Sequence, residues 1–256
     1  MAIHLRQICL VAGDLSSAID PLCEVFDTPV CYEDPAVAKY GLENALLGMG
    51  TQFLEVVAPT QGGTAAGRYL QRRGGDGGYM VICQVPTRQE QVAVRDNATA
   101  NGVRVAHESD RGNWYLLQLH PGDMGASFLS VEWDDQEDVS GNWEPAGGMA
   151  WADRVPDGPV TAITGAELQA DDPQALAERW GKVAGLPVVE VAGAPQIALA
   201  NAALRFVPAT DGRGPGLSAV TLTCSDRDGV LKRADRMGLR TGDTQLVICG
   251  TRFDLG

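Results

Sequence analysis

Hydrophobic and polar positions along the chain follow one order four times: an apolar strand, a turn, an amphipathic helix and three more short strands. In the first copy, a strand over 7–12 leads to a helix over 16–26, where Ile19, Leu22 and Phe26 form one apolar stripe. We call each copy a module. The modules are predicted to open with strands at 7–12, 79–85, 160–169 and 217–224.

The starts of the helices and the last strands also repeat. A capping residue or a proline introduces each helix, at Asp14-Leu15, Pro86-Thr87, Asp172-Pro173 and Asp226-Arg227. The last strands are predicted at 53–57, 128–131, 204–207 and 251–254. These likenesses favour an α+β fold of tandem βαβββ modules over an α+β domain whose strands look alike by chance.

The modules are predicted to form two paired-module domains. Residues 134–158 are rich in Asp, Gly, Pro and Trp, so we place the first pair at 1–134, a linker at 135–158 and the second pair at 159–256. Residues 74–78 form a glycine cluster without the Lys-Ser/Thr of a phosphate-binding loop. We interpret the cluster as a link between modules.

The net charge restricts the kinds of partner, and the cysteine spacing indicates the cellular compartment. The 256 residues carry 20 Lys and Arg against 33 Asp and Glu, a net charge of −13, which disfavours nucleic acid and anionic membranes as partners. The six cysteines show no CxxC pair and no zinc-finger spacing. Reduced thiols in the cytoplasm are the simplest interpretation.

The run from Leu5 to Leu15 resembles the first strand and turn of vicinal-oxygen-chelate proteins, the superfamily of glyoxalase, bleomycin-resistance proteins and extradiol dioxygenases. In that family a His or Gln ligand stands seven residues before the turn Asp, and 14 − 7 = 7 gives Gln7. The run 53–57 resembles the family's fourth strand, whose Glu corresponds to Glu55. The resemblance implies curved mixed sheets with outer helices. It also implies a divalent ion (Zn, Ni, Fe, Mn or Co) on Gln7 and Glu55, with Glu55 as the catalytic carboxylate.

The other half of that metal site does not match. Met80 and Ser130 stand where the resemblance places the second pair of ligands, and neither side chain suits a hard or borderline divalent ion. In the second module pair, Arg205 and Arg252 stand where acids are expected. A site without any metal therefore stays open as an alternative.

Strand alternation supports a polar site independently. Glu55 shares its face with Phe53 and Val57, and a buried carboxylate must find a partner or take up a proton. The side chains predicted to line the same cavity are Gln7, Cys9, Met80, Trp114, His120, Ser130 and Glu132. Core packing for Trp114, a turn role for His120 and a solvated strand end for Glu132 are the competing interpretations.

Two functions fit these features. The first is a glyoxalase-like enzyme, a metal-assisted lyase, isomerase or dioxygenase acting on a small oxygenated molecule in the first module pair. The alternative is a metal-free protein that sequesters a small apolar or aromatic compound, as bleomycin-resistance proteins do. Arg205 and Arg252 suit an anionic group in the second pair if they point inward, and are surface cations if they point outward. A small-molecule ligand is the expected partner, and a homodimer is one option.

Overall fold

The computed structural model describes residues 1–155 and 157–256; residue 156, inside the predicted linker, lies outside the described residues. The strands are β1 (His4–Val11), β2 (Val30–Tyr32), β3 (Leu42–Met49), β4 (Gln52–Pro59), β5 (Gly77–Gln84), β6 (Val105–Asp110), β7 (Trp114–Leu119), β8 (Phe128–Asp134), β9 (Val160–Ala170), β10 (Val188–Val191), β11 (Ala194–Ala198), β12 (Ala203–Pro208), β13 (Gly216–Cys224), β14 (Gln245–Ile248) and β15 (Thr251–Leu255). The α-helices are α1 (Leu15–Phe26), α2 (Ala65–Arg73), α3 (Arg88–Ala100), α4 (Pro121–Met124), α5 (Pro173–Ala184) and α6 (Arg227–Arg236).

These elements confirm the predicted fold class. Each module runs strand, helix and then further strands, and in the fourth module a single bridge between Arg240 and Leu246 replaces the second strand. The strands form two mixed sheets, in the orders β2-β3-β4-β1-β5-β8-β7-β6 and β10-β11-β12-β9-β13-β15-β14. First and last strands pair in parallel in the second, third and fourth modules, as β5 does with β8, whereas the strands that follow a module's helix pair antiparallel.

Side-chain caps begin the four main helices. Asp14 accepts a hydrogen bond from the backbone N–H of Ser17 at 2.8 Å, and Asp172 accepts one from Ala175 at 2.9 Å. Thr87 and Asp226 cap α3 and α6 in the same way. An oxygen at this position satisfies an N–H that has no partner inside the helix, which is why short polar residues mark these boundaries in the sequence.

Contacts divide the chain into two compact units. The first unit holds residues 1–7, 79–140 and 165–218, and the second holds residues 8–78, 141–164 and 219–256. The predicted domains 1–134 and 159–256 follow the two sheets instead, and those boundaries stay a prediction. No helix in the described part of the chain combines the length and the apolar character needed to span a membrane.

In the first unit, the second and third modules repeat one hydrogen-bond arrangement. Gln84 and Gln169 each stand three residues before the residue that caps the following helix. Gln84 Nε2 donates to Asp134 Oδ2 at 3.1 Å, and Gln169 Nε2 donates to Asp211 Oδ1 at 2.6 Å. We call this arrangement the glutamine bridge. It ties a module's first strand to the end of its last strand, at Asp134, or to the turn just beyond it, at Asp211.

The turn that accepts the glutamine is also the same in both modules. Each aspartate accepts the backbone N–H two residues further along the chain, from Gln136 at 3.0 Å in one module and from Arg213 at 2.8 Å in the other. Such a local hydrogen bond is typical of an aspartate turn and holds the carboxylate in place. The glutamine bridge is therefore shared by the second and third modules, whereas the first and fourth have Val11 and Thr223 at the position of the glutamine.

Candidate functional site

Glu55 lies in the middle of β4, with 6% of its surface exposed. In the antiparallel β3–β4 pair, Glu55 stands opposite Leu46 and Phe53 stands opposite Gly48. Because paired residues and alternate residues point to the same side of a sheet, these four positions share one face. We call it the Glu55 face. It belongs to the second compact unit.

Two side chains of the same unit hold the Glu55 carboxylate. Asn44 Nδ2 donates to Glu55 Oε1 at 2.6 Å, and Asn44 Oδ1 accepts the backbone N–H of Asp34 at 2.8 Å. The second bond fixes which end of the amide faces the carboxylate. Burial raises the pKa of the Cys9 thiol well above its usual value, and the charge of Glu55 and a hydrogen bond to it raise the pKa further. Cys9 is therefore a protonated thiol beside a carboxylate.

A segment between the two module pairs covers the Glu55 face. We call residues 142–155 the strap. A Cβ atom on Gly48 would lie 2.2 Å from a methyl group of Val155, so the strap enters the notch left by that glycine. The rings of Trp151 and Phe53 pack edge to face with centroids 5.2 Å apart. The predicted linker is thus partly a cover for the predicted site.

The Trp151 indole is 7% exposed, and its Nε1 is buried without a hydrogen-bond partner among the described residues. A buried N–H without a partner costs about 1–3 kcal/mol. Such groups are uncommon in folded proteins, and each calls for an explanation.

A second polar cluster lies in the first unit, and all of its side chains are buried. Trp114 Nε1 donates to Glu132 Oε2 at 2.9 Å, and Arg6 NH1 donates to Gln84 Oε1 at 2.7 Å. Burial lowers the pKa of Arg6 to about 10, while the carboxylates of Asp138, Asp134 and Glu132 oppose the shift. Arg6 stays charged at neutral pH, so the cluster compensates a buried cation.

Other predicted cavity residues are buried in the first unit. Gln7 and Ser130 are almost fully buried, and Met80 is nearly so. Within the described residues, Ser130 Oγ has no hydrogen-bond partner. Gln7 and Glu55 belong to different compact units, and their role as a metal pair stays a prediction.

His120 lies in a turn and caps a short helix. Its Nδ1 accepts the backbone N–H of Gly122 at 3.2 Å, at the start of α4. The neighbouring Asp123 bonds to Arg104 at 2.7 Å, and that hydrogen bond holds the pKa of Asp123 well below its usual range. The structure thus shows His120 in a capping contact.

Arg205 and Arg252 each meet a carboxylate within their own module. Arg205 bonds to Glu167 at 3.2 Å, and Arg252 bonds to Asp254 at 3.1 Å. The side chains are 46% and 34% exposed. Because each positive charge is already paired, neither arginine offers an uncompensated charge to an anionic ligand.

The residues present do not fit the metal ion that the fold implies. Two of the four ligand positions hold Met80 and Ser130, and Glu55 Oε1 already accepts the Asn44 amide. Across residues 1–155 and 157–256, no group of three or more His, Cys, Asp or Glu side chains is placed to hold a metal. A stable divalent site needs three or four such donors at close range.

Sequence reasoning missed four residues that shape these clusters: Asn44, Gln84, Arg6 and Trp151. The first three are polar residues inside apolar strands, which was a usable signal because such residues need partners when buried. Trp151 lies in a segment rich in glycine and proline, where a large aromatic side chain is unusual enough to indicate packing.

No protein-family model matches the sequence, and no curated protein matches it. Solved structures do match. A hypothetical protein from Staphylococcus aureus aligns over 100% of this chain and 99% of its own length, with 14% identity and a TM-score of 0.65. A mutant of 4-hydroxymandelate synthase from Streptomyces coelicolor aligns over 94% of this chain and 77% of its own, with 14% identity and a TM-score of 0.66. At such low identity these matches show the fold alone, and the fold is that of the vicinal-oxygen-chelate proteins.

Proposed function

We propose that this chain, which has the vicinal-oxygen-chelate fold, binds a small molecule at the Glu55 face and needs no metal ion to do so. One observation carries the proposal: a carboxylate is buried on a strand face and is held by Asn44 and Cys9. Burying a carboxylate costs free energy that a purely structural position does not require. A ligand hydroxyl or amine that donates a hydrogen bond to Glu55 would offset part of that free-energy cost.

The ligand is a small, largely apolar molecule with at least one hydrogen-bond donor. The surroundings of Glu55 support this, since Phe53, Leu46 and Val57 share its face. Apolar pockets with a few placed polar groups are typical of small-molecule sites.

The test uses 4-ethylphenol, which carries one donor and no carbonyl. We expect this probe to raise the melting temperature of the protein, and to do so equally after treatment with EDTA. Glu55→Gln keeps the shape but removes the charge, and is expected to weaken binding about tenfold or more, since a hydrogen bond to a charged group contributes about 1.5–3 kcal/mol. Glu43→Gln, at an exposed position of the neighbouring strand, is the matched control. Equal probe affinity in wild type, Glu43→Gln and Glu55→Gln would overturn the proposal.

The second candidate is a metal-assisted enzyme of the lyase, isomerase or dioxygenase type. The buried Glu55 carboxylate favours it, because carboxylates are among the side chains that transfer protons in catalysis. Metal analysis after purification without chelator discriminates the two candidates. Stoichiometric Zn, Ni, Fe, Mn or Co that disappears in Glu55→Ala supports the enzyme, and its absence from the wild type supports the binding protein.

A further inference from the structure

We infer that Trp151 is a ligand-binding residue, and that the strap closes over a flat molecule that carries both a hydrogen-bond acceptor for Trp151 and a donor for Glu55. This inference rests on the proposed function of the Glu55 face and adds the second half of the ligand. It concerns residues of the second compact unit only.

The unpartnered N–H of Trp151 is the first argument. Two other buried indoles in the chain do have acceptors: Trp114 donates to Glu132 at 2.9 Å, and Trp180 donates to the carbonyl of Met124 at 3.1 Å. Trp151 is just as buried but has no acceptor among the described residues. A ligand carbonyl would supply it.

The way the strap is seated is the second argument. Gly48 is a notch in an otherwise filled strand, and Val155 occupies it. This contact and the packing of Trp151 on Phe53 are both apolar, so they position the end of the strap over Glu55 by packing. Because Glu55 is only 6% exposed beneath this cover, a ligand reaches it only when the strap lifts.

The aromatic rings set the shape of the ligand. Phe53 and Trp151 meet edge to face on the Glu55 face, and Phe53 lies two residues from Glu55, which is about 7 Å along a strand. A flat apolar molecule can pack against both rings while its two polar ends reach Trp151 and Glu55. Hydroxylated aromatic ketones and aldehydes combine a flat apolar ring with a hydroxyl donor and a carbonyl acceptor.

Three probes of similar size test the two polar ends of the proposed ligand one at a time. The probe 4-hydroxyacetophenone has both groups, 4-ethylphenol lacks the acceptor, and 4-methylacetophenone lacks the donor. In the wild type we expect 4-hydroxyacetophenone to bind about tenfold more tightly than either of the others, as one hydrogen bond to each end allows.

Trp151→Phe keeps an aromatic ring and removes the N–H. It is expected to lower the affinity for 4-hydroxyacetophenone about fivefold to tenfold and to leave that for 4-ethylphenol unchanged. Trp133→Phe is the matched control, since its Nε1 also lacks a partner among the described residues but lies outside the strap. An equal loss for both probes, or no loss for either, would overturn the inference. Because the single oxygen of 4-ethylphenol is the one that donates to Glu55, the probe has no carbonyl for Trp151, and its response to Glu55→Gln tests the proposed function alone.

The closing motion has its own test, which needs no ligand. Gly48→Ala places a methyl group against Val155 and is expected to raise hydrogen exchange at strap amides at least tenfold. Val155→Ala in the same chain makes room for that methyl, so Gly48→Ala/Val155→Ala is expected to restore slow exchange. If Gly48→Ala leaves exchange unchanged, or the double variant fails to restore it, Val155 does not seat the strap and the proposed closure is wrong.

Discussion

The second and third modules contain the same glutamine bridge but surround it with different groups. Around Gln84 lie the fully buried Arg6 and the buried pair of Glu132 and Trp114. Around Gln169 the comparable charges are Glu167 and Arg205, and this arginine is 46% exposed. The group around Gln84 buries both its arginine and its carboxylate, whereas the group around Gln169 buries the carboxylate and leaves the arginine half exposed.

This difference separates structural roles from specialised ones. A feature present in both modules, such as the glutamine bridge, does not explain how they differ. A fully buried guanidinium costs free energy that the third module does not spend, so its presence beside Gln84 needs a separate cause. By the same reasoning, the buried Glu55 of the first module needs a cause other than the fold. Four predictions test this comparison.

The largest expected effect is on the two glutamines. Gln84→Leu leaves the buried Arg6 guanidinium and Asp134 short of a hydrogen bond, and we expect it to lower the free energy of unfolding by about 3 kcal/mol. Gln169→Leu removes only contacts near the surface, at about 1–2 kcal/mol. Urea unfolding of both variants measures the difference. Equal losses would show that the buried charges do not depend on the bridge.

The next prediction concerns Cys83, where the third module has Leu168 at the corresponding place. Burial, aided by Glu132, raises the pKa of Cys83 to about 12, from 9.0. Between pH 9 and 12 the unfolded chain loses the thiol proton and the folded chain keeps it, so stability falls as pH rises, by about 2–3 kcal/mol at pH 11. Cys83→Ala should show a shallower alkaline decline in unfolding experiments. A decline as steep as that of the wild type would contradict the pKa shift.

A smaller effect is expected for two tryptophans. Trp114→Phe and Trp180→Phe lose the same volume, but the first removes a donor to a carboxylate and the second a donor to a backbone carbonyl. Hydrogen bonds to charged groups are the stronger, so Trp114→Phe should cost about 1 kcal/mol more in free energy of unfolding. Thermal unfolding of the two variants gives the comparison. A larger loss for Trp180→Phe would mean that Glu132 is held by other groups.

The smallest effect is expected at Arg205. Arg205 is 46% exposed in its pair with Glu167, so solvent screens its charge, and Arg205→Gln should change the free energy of unfolding by no more than about 0.5 kcal/mol. Binding of 4-hydroxyacetophenone should be unchanged, because the pair lies outside the Glu55 face. A loss of binding in this variant would point to an anion site in the third module after all.

Much of this architecture was predictable from the sequence. The strand Val160–Ala170 and the helix Leu15–Phe26 match the predicted 160–169 and 16–26 to within one residue, since apolar periodicity and capping residues act locally. Parallel pairing of first and last strands follows once the repeat is recognised. Glu55 was identifiable for the same local reason, as one acid among apolar neighbours.

The partners of these residues were not predictable. Asn44 meets Glu55 only because β3 and β4 pair in one register, and Gln84 meets Asp134 across a whole module. A shift of one residue in the β3–β4 pairing would turn Asn44 to the opposite side. The contacts of the strap were not predictable either. Its composition indicates a loop, but the packing of its tryptophan side chains determines which face the loop covers.

The four edge strands of the two sheets affect how readily the protein aggregates in a crowded solution. Three of them, β2, β10 and β14, have only three or four residues, and the fourth, β6, presents Glu108 and Asp110. A second copy that added a strand at β2, β10 or β14 would gain few backbone hydrogen bonds, and one that added its own β6 at β6 would meet like charge. Short and charged borders of this kind oppose aggregation through strand addition, even for a protein that is largely β-sheet.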